Sequence, residues 1–207
     1  MGGAAPGSAS EALLTLASSE RGLREREPVD LAEVTRAIVA AREEEAARRD
    51  LRMDVHLGPA ATAGDPGLVE RLVANLVDNA ILHNVGGGHV RVTTAMAAGT
   101  ACLSVVNTGP VVPPEEVGRL FEPFQQLDGE RTRRGGGHKL GHGPGPGPEH
   151  GHGHGPGPEH EHGHGHGLGL GLGLAIVESI ATAHGATLTA VAGPDGGLDI
   201  TVRFRPA

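Results

Sequence analysis

Two asparagines, Asn75 and Asn79, lie four residues apart in a segment whose apolar residues follow a helical period. Residues with this spacing share one face of a helix. Asparagine is a poor residue for a helix interior, so a pair on one face asks for an explanation. Amide oxygens are hard neutral ligands of the kind that Mg²⁺ accepts together with phosphate oxygens. Taken alone, the pair is more simply explained as two amides with ordinary hydrogen bonds.

A second polar group ends a predicted strand. Asn107 closes the run ACLSVVN, and Gly109 follows two residues later. A glycine lets the backbone approach a flat ligand closely, and the amide at 107 could pair with an adenine edge. Without other support, these residues only mark the exit of a strand into a turn.

Glycines and phenylalanines form two further groups. Gly169, Gly171 and Gly173 alternate with leucine before a predicted helix, where backbone N–H groups and the helix dipole suit a phosphate. A glycine repeat is weak evidence, and the repetitive tract before it offers another explanation. Phe121 and Phe124 are two of the three phenylalanines and could anchor a neighbouring loop.

Periodicity and turn signals define the elements that would position these groups. Asp30 and Asp65 are predicted helix caps, and Pro66 is suited to a first helical position. Helices are predicted over 11–27, 31–50, 66–84 and 174–185, with a short one over 113–120, and strands over 52–57, 89–96, 101–107, 186–192 and 198–204. Because the helices and strands are grouped and do not alternate, the pattern favours a two-layer α+β sandwich.

Composition narrows the function classes. The chain has 207 residues and a formal net charge of −8, which argues against a nucleic-acid partner. Cys102 is the single cysteine, so no internal disulfide can form. The sequence has neither an 18-residue apolar run nor a signal peptide. These features predict a cytoplasmic protein with no membrane segment.

Residues 135–167 differ from the rest of the chain. They repeat GH and GPGPEH units and hold nine of the thirteen histidines. Such a segment has too few apolar residues to pack a core, so it is predicted to be disordered. Its imidazoles could chelate adventitious Zn²⁺ or Ni²⁺. The simpler interpretation is a repeat expansion in a loop that tolerates added length.

The order of these groups is more specific than any one of them. An asparagine-bearing helix, a strand ending in NTG, an F-x-x-F pair and a Gly-Leu helix start together resemble the ATP-binding catalytic domain of bacterial sensor histidine kinases. The segments NTGPVVPPEEVGRLFEPFQQL and GLGLAIVESIATAHGATL look especially like actinobacterial members. The resemblance covers about residues 28–205 and implies a Bergerat-type sandwich, with a mixed sheet of about five strands and three helices.

The resemblance also implies ATP and Mg²⁺ as cofactors and assigns a role to each group. Asn75 and Asn79 match the N box, which holds Mg²⁺ and phosphate oxygens. The remaining matches are Asn107 and Gly109 to the adenine-binding G1 box, Phe121 and Phe124 to the F box of the lid, and Gly169, Gly171 and Gly173 to the phosphate-binding G2 box.

Three positions depart from the family pattern. Asn107 replaces a charged aspartate, so its acceptance from the adenine amino group is weaker. Val111 occupies the place of a second G1 glycine. Leu82 occupies the place where many relatives have a lysine or arginine that reaches the phosphates. We therefore expect modest nucleotide affinity.

The resemblance predicts two regions. Residues 1–27 would be a flexible lead-in and a remnant of the second helix of a dimerisation hairpin, and residues 28–207 would be the ATPase-like domain with its histidine-rich lid insertion. No histidine precedes His56, so the phosphoacceptor is absent from this chain, and no residue in it is a good candidate for a covalent nucleophile. The implied activity is phosphoryl transfer from Mg-ATP to a histidine, in a homodimer or on a hairpin supplied in trans, and onward to a response-regulator receiver domain. The first alternative is a non-catalytic ATP-binding regulatory module. The second, less favoured, is a protein that binds metal through the histidine-rich tract.

Overall fold

A computed structural model describes residues 26–123 and 172–205. Two sheets and four α-helices make up this part of the chain. In order, the elements are β1 (Glu27–Asp30), α1 (Leu31–Ala40), α2 (Glu43–Arg48), β2 (Arg52–Leu57), β3 (Ala61–Gly64), α3 (Pro66–Leu82), β4 (His89–Ala97), β5 (Thr100–Asn107), 3₁₀ turns at Pro114–Glu116 and Gly118–Phe121, α4 (Gly173–Ala183), β6 (Thr187–Ala192) and β7 (Leu198–Phe204).

The main sheet has five strands in the order β2-β4-β5-β7-β6. Strands β2 and β4 are parallel, and every other neighbouring pair in this sheet is antiparallel. Parallel neighbours need a crossover, which α3 supplies together with β3. This is the mixed five-stranded sheet that the family resemblance implies.

One face of the main sheet is covered by helices. Along β5, every second residue is buried, from Ala101 to Asn107. Leu103 on this strand, Val202 on β7 and Leu76 on α3 all belong to one hydrophobic cluster. Since α3 packs against α1, α4 and β5, it is the central helix of the layer. The two-layer α+β sandwich is therefore confirmed.

Both predicted helix caps are present. Asp30 Oδ1 accepts a hydrogen bond from the Ala32 N–H at 2.9 Å, and Asp65 Oδ1 accepts from the Leu68 N–H at 3.0 Å. Pro66 occupies the first turn of α3, where its missing N–H leaves no bond unmade. Local chemistry thus sets the start of α1 and α3.

The prediction of one continuous helix over 31–50 was wrong. It is interrupted after Ala40 and resumes at Glu43 as the six-residue α2. At the break, the Arg42 N–H bonds to the Val39 carbonyl, three residues back, and the Arg42 side chain makes two hydrogen bonds to Asp78 on α3. The pairing with α3 provides a tertiary reason for a break that helix propensity does not predict.

Three other features differ from the sequence prediction. Glu27 begins a strand, although the predicted first helix reaches it, and β1 pairs with β3 in a small antiparallel sheet that was not predicted. The short helix predicted over 113–120 is two 3₁₀ turns. Residues 11–25 of the predicted first helix lie outside the described part of the chain. No helix in the described ranges has the length and apolar character to cross a membrane.

Candidate functional site

Helix α3 presents the two predicted asparagines on one face. Asn75 and Asn79 are both partly buried, while Leu72 and Leu76 point into the core. The Asn75 Nδ2 donates to the Arg71 carbonyl at 2.7 Å. With its donor bound to its own helix, the Asn75 amide offers its oxygen to a ligand. An oxygen of this kind suits a hard cation.

The start of α4 lies beside Asn75. Gly173 is the first residue of α4, and a Cβ placed on it would lie 3.5 Å from Asn75 Oδ1. Leu172, at the cap position of this helix, makes no side-chain hydrogen bond to it. The first N–H groups of a helix are donors that an anion can accept from.

The residues that follow β5 lie beside the C-terminal end of α3. A Cβ on Gly109 would lie 2.8 Å from the His83 carbonyl and 3.3 Å from Asn107 Nδ2. Glycine is therefore required at 109 for this close approach. Asn107 is buried, at 6% exposed, and its Nδ2 donates to the Thr108 carbonyl at 2.8 Å. This bond leaves the amide oxygen as the acceptor that Asn107 can offer to a base.

A polar network behind the exit of β5 was missed by sequence reasoning. Thr108 Oγ1 donates to Asn84 Oδ1 at 2.6 Å and accepts from the His89 N–H at 2.8 Å. Asn84 Nδ2 in turn donates to the Ala80 carbonyl at 3.0 Å, which ties the end of α3 to the strand exit. Asn84 lies just before the run of three glycines, and this pattern indicates the end of a helix. The neighbouring sequence gives no indication that Thr108 is its hydrogen-bond partner.

The β6–β7 turn supports the same exit from the other side. The Gly197 N–H donates to the Pro110 carbonyl at 2.9 Å. Gly197 has a φ of +80°, and a Cβ on it would collide with the Asn107 carbonyl oxygen. A glycine-rich turn that the sequence marks only as a hairpin connection therefore packs directly against the predicted adenine-binding segment.

The other predicted site residues fall into two groups. Phe121 is buried in the second 3₁₀ turn, which packs against α4, whereas Leu82 and Val111 are exposed at 39% and 75%. Phe124, Gly169, Gly171 and the histidine-rich segment 135–167 lie outside the described residues. In the ranges 26–123 and 172–205, no group of three or more His, Cys, Asp or Glu side chains could hold a metal ion.

Three successive turns of α3 organise the site. Asn75 faces the start of α4, Asn79 follows one turn later, and the His83 carbonyl meets Gly109 one turn beyond that. Eight residues of helix span about 12 Å. An extended ligand could therefore place phosphates at the Asn75 end and a base at the Asn107 end. Amide oxygens beside a glycine at a helix start fit phosphate-bound Mg²⁺.

Comparison with known proteins identifies relatives of this chain. Residues 64–143 match the family described as histidine kinase-, DNA gyrase B-, and HSP90-like ATPase. The chain is 38% identical over 193 residues to the sensor protein CutS of Streptomyces coelicolor, covering 93% of this chain and 39% of that protein. It is 35% identical over 127 residues to the histidine-protein kinase/phosphatase MprB of Mycobacterium avium, covering 60% of this chain and 24% of that protein.

Solved structures show the same fold. A mycobacterial sensor histidine kinase MprB structure superposes with a TM-score of 0.61 and 27% identity, covering 88% of this chain and 99% of that one. The catalytic domain of the histidine kinase ThkA, at 19% identity and a TM-score of 0.63, supports the fold alone; it covers 88% of this chain and 96% of that one. The chain spans well under half the length of the curated relatives it matches. On this evidence, the chain carries a domain of the histidine kinase-, DNA gyrase B- and HSP90-like ATPase family, matched over residues 64–143, and it is similar to a sensor protein over 93% of its length.

Proposed function

We propose that this chain is the ATP-binding catalytic part of a sensor histidine kinase. The observation that carries the proposal is the alignment of three features along α3: Asn75 beside Gly173, Asn79 on the next turn, and Gly109 against the His83 carbonyl. An uncapped helix start, amide oxygens and a glycine-lined strand exit are the groups that a nucleoside triphosphate with Mg²⁺ requires.

Within this proposal, each group has a definite task. Asn75 and Asn79 hold Mg²⁺ and phosphate oxygens, and the start of α4 at Gly173 receives the phosphates, together with Gly169 and Gly171 preceding it. Asn107 accepts from the adenine amino group, and Gly109 lets the base lie flat. Phe121 and Phe124 anchor the lid. Mg²⁺, when bound, supplies positive charge that offsets the phosphate charge during transfer.

Phosphoryl transfer here depends on positioning and electrostatics, so no covalent nucleophile is required of this chain. The phosphate acceptor is a histidine on a helical hairpin, in a homodimer or in trans, and a response-regulator receiver domain takes the phosphoryl group next. Both ATP and the receiver domain place this step in the cytoplasm. Residues 1–55 contain no histidine, so the acceptor must be added separately in a test of transfer.

The test is calorimetric titration of ATP into the chain with and without Mg²⁺. We expect Mg²⁺-dependent binding that Asn79→Ala weakens by about ten- to a hundredfold, the range for a hydrogen bond to a charged group. Glu70→Ala, on an exposed face of the same helix, is the matched control and should bind as the wild type does. Failure of the wild type to bind at millimolar ATP would reject the proposal.

A regulatory module that binds ATP without transferring phosphate is the second candidate. The exposed Leu82 favours it, because that position lacks the cation that would reach the phosphates in many relatives. Supplying a phosphoacceptor hairpin in trans with γ-labelled ATP separates the two functions. Label on the histidine supports the kinase, whereas binding without label supports the regulatory module.

The histidine-rich segment 135–167 adds a proposal of its own, that it captures Zn²⁺ or Ni²⁺ adventitiously. Zinc titration of the full chain and of a variant lacking 135–167 tests it. Binding that disappears with the deletion supports capture by this segment. A zinc-dependent change in ATP affinity would instead indicate that the metal regulates nucleotide access.

A further inference from the structure

A second junction between α3 and α4 lies at the end of the helix pair that faces away from the proposed phosphates. His184 follows the last residue of α4 and is 2% exposed. Its Nδ1 lies 2.8 Å from the Ile180 carbonyl, to which it donates, and its Nε2 accepts from the backbone N–H of Asp65 at 3.2 Å. Both bonds together require a neutral ring with its proton on Nδ1.

The bond to Asp65 completes the cap of α3. Asp65 already satisfies the Leu68 N–H with its side chain. In a capping box, a Glu or Gln at the third helical position would accept from the N–H of the capping residue in return. Here that position is Leu68, which cannot accept, and His184 takes the role from another helix.

The surroundings of His184 leave the ring little freedom. A Cβ on Gly64 would lie 2.5 Å from the imidazole Cδ2, so only glycine permits this approach. Phe204 packs edge-on against the ring, with centroids 5.8 Å apart. Behind it, α4 ends in a Schellman motif, with Gly185 at φ +63° and the Ala186 N–H bonded to the Ala181 carbonyl.

The two junctions are nearly the same distance apart along both helices. Ten residues of α3 separate Asp65 from Asn75, and eleven residues of α4 separate Gly173 from His184. At 1.5 Å per residue these lengths are about 15 Å and about 16.5 Å, which differ by the rise of one residue. Because the helices run antiparallel and are nearly rigid along their axes, the axial register at one junction determines the register at the other.

We propose that His184 is a positioning residue for the nucleotide site, and that its hydrogen bond to the Asp65 N–H holds α3 and α4 in the register that brings Asn75 beside Gly173. The inference rests on the proposed ATP-binding function. His184 touches neither nucleotide nor metal in this arrangement, and it acts only through the relative placement of the two helices.

Electrostatics keep the ring in the form that this bond needs. Burial lowers the pKa of His184, and the nearby Arg26 charge lowers it further. The hydrogen bond to Ile180 and the Asp65 carboxylate act in the opposite direction, but the pKa remains below its ordinary value. The neutral ring, with Nε2 free to accept, is therefore the form present at neutral pH.

Two substitutions of His184 in the full chain test the proposal. His184→Phe keeps a ring but removes the acceptor, whereas the amide oxygen of His184→Gln can still accept from Asp65. Gly64→Ala is an independent variant, because it displaces the ring while retaining histidine. Val202→Ala, which opens a cavity in the core under β7, is the matched control for lost stability.

The measurement is the Kd for Mg-ATP at a temperature where every variant is fully folded. We expect His184→Phe and Gly64→Ala to weaken binding about three- to tenfold, the factor that corresponds to one ordinary hydrogen bond. His184→Gln and Val202→Ala should stay within about twofold of wild type. Wild-type binding by His184→Phe, or an equal loss in His184→Gln or Val202→Ala, would overturn the proposal.

A nucleotide-free readout separates this inference from the ATP-binding proposal. The NMR signals of the Asn75 side-chain amide and the Gly173 backbone amide report on the distant junction directly. These signals should move in His184→Phe and remain in place in Val202→Ala. If the wild type does not bind ATP, the proposed function fails, and these NMR signals alone test whether His184 holds the two helices in register. Signals that do not move in His184→Phe would then overturn the inference about His184.

Discussion

The two ends of the α3–α4 pair are built in opposite ways. At the closed end, formed by Gly64, Asp65, His184 and Phe204, the Asp65 side chain caps α3 and the Asp65 N–H bonds to a buried imidazole. At the open end, formed by Asn75, Asn79 and Gly173, the residue at the cap position of α4 makes no side-chain hydrogen bond to the helix. The N-terminus of α3 is thus satisfied by described residues, and the N-terminus of α4 is the one that we propose receives a ligand.

This difference shows how a small domain combines rigidity with an accessible site. Helix starts carry unsatisfied N–H groups that need partners, and an anion serves as well as a side chain. Where the partners come from the protein, the helices are held together without ligand. At the start of α4 we propose that a ligand is the partner, and that the geometry of this site depends on the junction at His184.

The largest expected effect comes from the core beneath the closed end. Ile180 is fully buried, and its carbonyl accepts from His184. Ile180→Ala should lower the free energy of unfolding by about 2–5 kcal/mol, because it deletes buried methyl groups and leaves a cavity. Urea denaturation measures this value. A loss below about 1 kcal/mol would mean that the closed end can repack easily.

A smaller effect is expected at the β6–β7 turn, where Gly197 lies against Asn107. Gly99 and Gly197 both have positive φ values, but a Cβ on Gly99 meets nothing within 4 Å, whereas one on Gly197 collides with the Asn107 carbonyl. Gly99→Ala should cost about 1 kcal/mol from backbone strain alone, and Gly197→Ala about 2 kcal/mol or more. Thermal denaturation compares them; equal losses would show that the turn moves freely away from Asn107.

The pH dependence of stability should expose the buried histidine. Since the folded pKa of His184 is lowered, the unfolded chain binds the extra proton more readily. The contribution to stability is thus complete above the unfolded value of about 6.5 and is lost as the pH falls through that value towards the lowered folded one. The free energy of unfolding, measured by urea denaturation between pH 8 and pH 5, should fall less steeply with decreasing pH in His184→Gln than in wild type. The difference between the two slopes corresponds to the uptake of up to about one proton. Identical slopes would show that folding does not lower the pKa of His184.

The smallest effect is expected at the surface pair that joins the α1–α2 break to α3. Arg42 and Asp78 make two hydrogen bonds, but their side chains are 25% and 52% exposed. Arg42→Ala should lower stability by about 0.2–1 kcal/mol, less in high salt, because water and ions screen exposed charges. A loss above about 2 kcal/mol that persists at 1 M salt would instead indicate that the pair is needed to dock α2.

Local sequence chemistry was a reliable guide wherever a few neighbouring residues decide the outcome. Asp65 and Pro66 predicted the start of α3, and alternating residues predicted β2, β4 and β5 within one residue at each end. The asparagine spacing predicted a shared helix face, which the structure has. The roles assigned to these residues stay predictions, as do all assignments in 1–25 and 124–171.

The sequence by itself therefore determined the five strands of the main sheet, the starts of α1 and α3 with their caps, the two-layer class and the positions of the candidate ligands along the chain. Only the tertiary structure decided which of these meet: His184 bonds to Asp65 across 119 residues, and Arg42 to Asp78 across 36. The physical reason is that caps and periodicity act within one or two turns, whereas a polar group finds a distant partner only after helices and sheet have packed. A lone histidine near a helix end gives no local sign of such a partner, so the closed end became visible only in the folded chain.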